Sequence, residues 1–214
     1  MKQRFCAFSL VELLVVISIV SCLATLSIPA LSGMLAMAQT SKCANNMRQL
    51  GTAVLLYAMD HQMILPDTSH QEGVGGFSWT NSLQPYAEGQ VTFKCPSDEN
   101  KVRSRTYVMN DFLTRSPCEA PYLDFSHRLS VQRPQDTILY AEANSSAYIP
   151  DHFHFSAYHG YEMPSEDFAA LVGVTRHRGK ANYVFADAHV ETLSWPEVQV
   201  RLAQPGSRFI DPTR

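Results

Sequence analysis

A chain of 214 residues, 45% hydrophobic and 17% charged, has room for one main globular domain beside an N-terminal segment. Its net charge of -3, without any basic block, argues against a nucleic-acid partner. The cysteines at 6, 22, 43, 95 and 118 form no CxxC pair, which argues against a zinc ribbon. In an exported domain Cys95 and Cys118 could close a disulfide; the alternative is two separate thiols.

Residues 1–7, MKQRFCA, form a short leader carrying Lys2 and Arg4. The apolar run that follows, Phe8 to Ala38, is interrupted by charge only at Glu12. It exceeds the roughly 20 residues needed to cross a bilayer. This is the layout of a signal sequence or signal anchor. Positive charge before the span keeps that end cytoplasmic, so the rest of a single-pass chain is expected outside the cytoplasm. An acidic side chain at the centre of a membrane helix costs about 2.5–3.5 kcal/mol on insertion scales, so Glu12 calls for a partner. Ile19-Val20-Ser21-Cys22 has the form of a lipoprotein cleavage box, but the apolar run continues well past it. Cys22 is therefore read as a small residue in a packed helix.

Ser41 to Gln62 continues as an amphipathic helix, with Met47, Leu50, Val54 and Tyr57 or Ala58 on one stripe. Gly51 within it is a weak point or a close-packing site, and Pro66 ends the segment. Asp67 to about Gln132 is rich in Gly and Pro and reads as loops with short elements. Thr137–Ala143 is a predicted strand. Tyr183–Ala186 and His189–Leu193 are two more, joined by a tight turn at Asp187-Ala188. Residues 196–214 read as a short helix and a tail. The predicted segments are a leader (1–7), a transmembrane half-helix (8–38), an amphipathic half-helix (39–62) and an extracytoplasmic α+β domain (63–214) ending in a hairpin over 181–193. The expected fold class is α+β, a long N-terminal helix packed on a small antiparallel sheet.

Candidate chemistry is sparse. Nine residues separate His177 from Asp187, and His189 follows closely. These three could bind a metal, or His177 and Asp187 could form a hydrolytic pair. The structural alternative is a fold staple, with His177 before a glycine turn and Asp187 capping turn amides. Along one extended strand the two would lie about 30 Å apart, unless the chain folds back at Gly179. The structural reading is preferred. His152 and His154 would share a strand face as half of a metal site, without an assignable third ligand. There is no serine elbow, HExxH motif or phosphate loop. No catalytic residue, cofactor or metal is expected, and the chain is not read as an enzyme.

Phe8-Ser9-Leu10-Val11-Glu12-Leu13-Leu14-Val15-Val16-Ile17 resembles the N-terminal signature of type IV pilins and type II secretion pseudopilins. The resemblance implies cleavage between Ala7 and Phe8 by a prepilin peptidase, then methylation of the new amine on Phe8. Ala7 stands where that family usually has Gly. The resemblance also implies that Glu12 pairs with the terminal amine of a neighbouring subunit during assembly, and that Pro29 kinks or locally melts the helix. Cys43 to Pro66, Trp79 with Leu83-Gln84-Pro85-Tyr86, Phe93 to Asp98, Thr106 to Asn110 and Ile138 to Glu142 occur in an order similar to that of bacterial pseudopilin-like proteins ending in an H-x9-DG motif. Here His177 and Asp187 fit that motif, and Ala188 replaces its Gly. An Ala forced to positive φ at this turn would cost on the order of 1 kcal/mol.

What the resemblance implies is a pilin-like fold and a structural subunit of a type II secretion pseudopilus or type IV pilus-like filament. Its partners would be the prepilin peptidase, other pilin or pseudopilin subunits, the inner-membrane assembly platform and the lipid bilayer. The alternative function is a membrane-anchored extracytoplasmic module that binds polysaccharide or protein and never polymerises.

Overall fold

The computed structural model describes residues 9–69, 78–87, 92–115, 125–146, 151–153 and 165–212. It separates into two units, Met1–Gln39 and Thr40–Arg214. Helix α1 (Leu10–Asp60) supplies the described backbone of the first unit and the opening element of the second. In the first unit its large apolar side chains point outward, and the helix is long and apolar enough to cross a membrane. The helical backbone runs unbroken through position 29, so the local melting expected at Pro29 is not seen.

The second unit is α+β. After α1 come α2 (Trp79–Ser82), β1 (Tyr107–Asn110), β2 (Ile138–Glu142), β3 (His152–Phe153), α3 (Ser165–Leu171), β4 (Lys180–Phe185), β5 (Val190–Ser194) and α4 (Trp195–Ala203). The five strands form one sheet in the order β3-β1-β2-β4-β5. The expected all-antiparallel sheet needs one correction: β3 pairs with β1 in parallel, through Met109 with His152 and Asn110 with Phe153, which makes the sheet mixed.

Each face of the sheet has its own core. On one face Cys43, Met47, Leu50 and Val54 of α1 pack with Tyr107, Met109, Leu139, Tyr140 and Val184. On the other, Phe168 of α3, Val198 and Leu202 of α4, and Phe209 and Ile210 pack with Val108, Ala141, Tyr183 and Phe185. Burying each such large apolar side chain contributes about 1.5–3 kcal/mol. The α1 stripe read from spacing is this buried stripe. Gly51 lies where the helix comes closest to the β4–β5 hairpin: a Cβ there would sit 3.1 Å from the Ala188 Cβ. The close-packing reading of Gly51 is therefore the one the structure shows.

The helix ends before Pro66. Gln62 and Met63 both have positive φ, and the Met63 N–H reaches back to the Ala58 carbonyl at 2.7 Å. That six-to-one bond is a Schellman closure built without glycine.

A bulge in β2 controls which side chains meet α1. Ile138 pairs with Phe185, but Tyr140 pairs with Val184, so one extra residue is accommodated on β2. Ile138 consequently faces the α3–α4 side, Leu139 and Tyr140 both face α1, and Ala141 faces away again. Without the bulge, strict alternation would put positions 138, 140 and 142 on one face. With it, Glu142 turns toward α1.

The terminal hairpin extends slightly beyond the expected bounds, 180–185 against 190–194. Its connection is a three-residue loop, Ala186–Ala188, rather than a two-residue turn. Ala188 N–H bonds to the Phe185 carbonyl at 2.8 Å, and Ala188 itself has φ 74°. This is the type I turn with a left-handed third residue that closes three-residue hairpins, and it favours Gly at that third position.

Candidate functional site

Two places in the chain carry unusual chemistry. The first is the start of α1. Ser9 precedes the helix, its Oγ accepts from the Val11 N–H at 3.4 Å, and the Glu12 carboxylate accepts from the Ser9 N–H at 2.9 Å. Ser9 thus caps the second helical amide while Glu12 supplies the back-reaching half of a capping box, and both occupy amides at the start of the helix that would otherwise lack partners. Glu12 thus has a local task in the single chain as well as a charge in an apolar segment. Ala7 and Phe8, the expected cleavage pair, lie outside the described residues.

The second place is a buried cluster that joins four separate stretches of chain. Cys43 comes from α1, Cys95 from the loop before β1, Glu142 from the end of β2 and His177 from the turn before β4. Cys43, Cys95 and Glu142 are fully buried and His177 is 5% exposed. Glu142 Oε1 accepts from the Cys43 thiol at 2.7 Å and lies 2.8 Å from His177 Nε2. Cys95 Sγ is 3.6 Å from the same Nε2. Glu142 Oε2 accepts from the Asn182 N–H at 2.9 Å, and Tyr107 Oη lies 3.2 Å from Cys43 Sγ. His177 Nδ1 faces Thr40 Oγ1 at 3.3 Å.

Local structure delivers each member. His177 and Lys180 exchange backbone hydrogen bonds of 2.8 and 3.3 Å across Arg178 and Gly179, both at positive φ. This tight turn is the fold-back at Gly179 that the sequence left open, and it holds His177 against β2. Cys95 is fixed by its N–H to Thr106 Oγ1 at 2.6 Å. Glu142 is aimed by the β2 bulge.

The electrostatics are those of a mutually dependent set. Burial works to raise the Glu142 carboxyl, but the hydrogen bond and charge of His177, with the Arg176 charge, hold it below the usual range. Burial works to lower His177, yet Cys95 and Glu142 push it up to about 9. The Cys43 hydrogen bond, partly opposed by burial, brings the Cys95 thiol down to about 6. Burial, Cys95 and Glu142 drive Cys43 far up, and burial and Cys43 do the same to Tyr107.

The expected site residues are distributed over several places. His177 belongs to the cluster, whereas Asp187 and His189 do not. Instead Asp187 Oδ1 accepts from the His189 N–H at 3.0 Å and meets His189 Nδ1 at 2.6 Å. His189 Nε2 lies 3.3 Å from Glu191, which also binds Arg201 at 2.7 Å. The trio His177, Asp187 and His189 is thus not a shared ligand set. His152 Nδ1 lies 2.8 Å from the buried Asp151, which also accepts from Ser69 and Ser78. The Trp79 indole N–H anchors the same segment by donating to the Asp151 carbonyl at 2.7 Å. His154 lies outside the described residues. Cys95, considered as a partner for Cys118, is a free thiol beside Cys43, and Cys118 is also outside them.

In the sequence Cys43, Cys95 and Glu142 stand in three separate landmarks, Cys95 also as a possible disulfide partner of Cys118. They are 52 and 47 residues apart in sequence, counting from 43 to 95 to 142, so no local spacing could have joined them.

Residues 2–28 match the family model for the prokaryotic N-terminal methylation motif. The chain therefore carries a prepilin-type methylation motif that runs from its basic N-terminal residues into the first part of its apolar helix. No curated protein and no solved structure matches it.

Proposed function

We propose that this protein is a prepilin-like structural subunit, cleaved between Ala7 and Phe8, N-methylated on Phe8 and assembled into a type II secretion pseudopilus or type IV pilus-like filament. The observation that carries the reading is the methylation motif over residues 2–28, opening a helix apolar enough to span a membrane. The anchor would be the inner membrane, with the leader cytoplasmic and the α+β domain extracytoplasmic. Glu12 would leave its own Ser9 N–H and pair with the methylated amine of a neighbouring subunit, because a buried carboxylate is tolerable when paired. Such pairing favours assembly and sets the axial register. Prepilin peptidase, sibling subunits and the inner-membrane assembly platform would be the partners. The ordered landmarks ending at His177, Asp187 and Ala188 support placement among the H-x9-DG pseudopilin-like proteins.

Intact-mass measurement and N-terminal sequencing of protein from native membranes test the proposal. A chain beginning at N-methylated Phe8 is expected. A chain beginning at Met1 would overturn processing and favour the non-polymerising, membrane-anchored binding module.

A further inference from the structure

The buried quartet has the donor set and closeness of a closed metal centre. One ligand atom from each of Cys43, Cys95, Glu142 and His177 lies within 4.8 Å of all the others. A tetrahedral zinc with bonds of about 2.0–2.3 Å needs its donors roughly 3.3–3.8 Å apart. The Cys95–His177 separation of 3.6 Å already lies in that range. The two contacts to Glu142 Oε1, 2.7 and 2.8 Å, are hydrogen-bond distances that would open by about 0.5–1 Å for a cation to replace the bridging protons.

The surroundings fit as well. Nδ1 of His177 lies 3.3 Å from Thr40 Oγ1, so in the tautomer with Nδ1–H donating to Thr40 the Nε2 lone pair would face the cluster, the orientation that ligating histidines take from an outer partner. The Asn182 N–H steadies the second carboxylate oxygen. Two thiolates and one carboxylate around a dication leave a single negative charge, with the Arg176 charge acting on Glu142. An ion pair alone does not account for the set: apolar residues of similar volume stabilise a core at least as well as a buried pair. Nor does an ion pair require two thiols.

We propose that Cys43, Cys95, Glu142 and His177 bind one structural zinc ion, which pins helix α1 to the sheet. Two thiolates with an imidazole and a carboxylate select zinc over harder cations, and four protein donors leave no open position for catalysis. The assignment is independent of cleavage and filament assembly.

The test uses the full chain in detergent, purified without a polyhistidine tag or chelator. Elemental mass spectrometry is expected to find stoichiometric zinc. Exchange with cobalt(II) is expected to give thiolate-to-cobalt charge-transfer absorption and the strong ligand-field bands of a tetrahedral site. Cys95→Ser and Glu142→Gln should each weaken zinc binding more than tenfold, and Thr40→Ala by about 10–100-fold. His189→Asn should leave it unchanged. Where a ligand variant fails to fold, the wild-type cobalt spectrum still decides, since its charge-transfer band requires a thiolate donor. Wild-type protein with substoichiometric zinc and no such band, or with Cys43 and Cys95 joined as a disulfide, overturns the proposal.

Discussion

The two parts of helix α1 are built from the same kinds of residue and meet opposite fates. Between Leu10 and Gln39 the large apolar side chains are exposed, Leu14 at 56% and Leu26 at 70%. Beyond Thr40 the apolar positions Met47, Leu50 and Val54 are wholly buried against the sheet. The domain supplies its own apolar environment. The first segment needs one from outside, either lipid or neighbouring copies of the helix. A charge follows the same division: Glu142 is surrounded by partners from its own chain, whereas among the described residues Glu12 meets only its helix cap.

The variants that break this contrast most sharply are at Glu12. Glu12→Ala is expected to abolish filament assembly, scored by shearing and immunoblotting, while leaving the thermal midpoint of the domain unchanged. Glu12→Gln separates two causes, since an amide can still accept from the Ser9 N–H but carries no charge. Loss of assembly with Gln assigns the role to charge; recovery with Gln assigns it to the cap.

In the domain the largest effect is expected at Glu142. Glu142→Ala removes the partner of Cys43, His177 and the Asn182 N–H together. Breaking a buried pair of this kind costs about 3–5 kcal/mol, to be read as a fall in the unfolding midpoint of the detergent-solubilised chain. Assembly defects that follow this fall, and not Glu12, would erase the division between the two parts.

Asp151 gives a pH-dependent test. Burial works to raise its carboxyl, but hydrogen bonds from His152, Ser78 and Ser69 outweigh that and hold it well below its ordinary 3.8. Its contribution is therefore complete above about pH 3.8 and is lost as pH falls toward the folded value. Asp151→Asn should cost about 1–3 kcal/mol at neutral pH and flatten the acid limb of the stability profile.

Smaller effects are expected where α1 touches the hairpin. Gly51→Ala gains helix propensity of about 1 kcal/mol but forces a Cβ against the Ala188 backbone and Cβ, an overpacking cost of about 1–3 kcal/mol. A net loss near 1 kcal/mol is expected. Ala188→Gly relieves the φ of 74° and removes the Cβ facing Gly51. Alone it should stabilise by less than about 1 kcal/mol, because glycine also loosens the unfolded chain. Combined with Gly51→Ala it should recover part of that loss, a coupling that a double-mutant cycle measures.

Much of the architecture was legible before any coordinates. The stripe on α1, a strand expected at 137–143 and found at Ile138–Glu142, the terminal hairpin, and a short helix expected within 196–214 and found at Trp195–Ala203 all follow from periodicity and turn chemistry acting over a few residues. Strand β1 went unnamed because four residues, Tyr107 to Asn110, are too few for a period to show. Strand β3 has two residues and exists through its pairing with β1. The end of α1 is expected at Gln62 and falls at Asp60, but the positive φ of Gln62 and Met63 that closes it is announced by neither residue type.

The sequence by itself determined the N-terminal chemistry of this protein. Basic residues at positions 2 and 4, an apolar span and one carboxylate follow each other within the first 38 positions, and the forces that read them are local. Tertiary structure alone decided the buried quartet. Its members are distant in the chain, and one of them, Glu142, faces α1 because a single extra residue in β2 reverses the alternation of the strand. A bulge is a compromise between two neighbouring strands, so its position is set by the pairing of β2 with β4 and not by either segment alone.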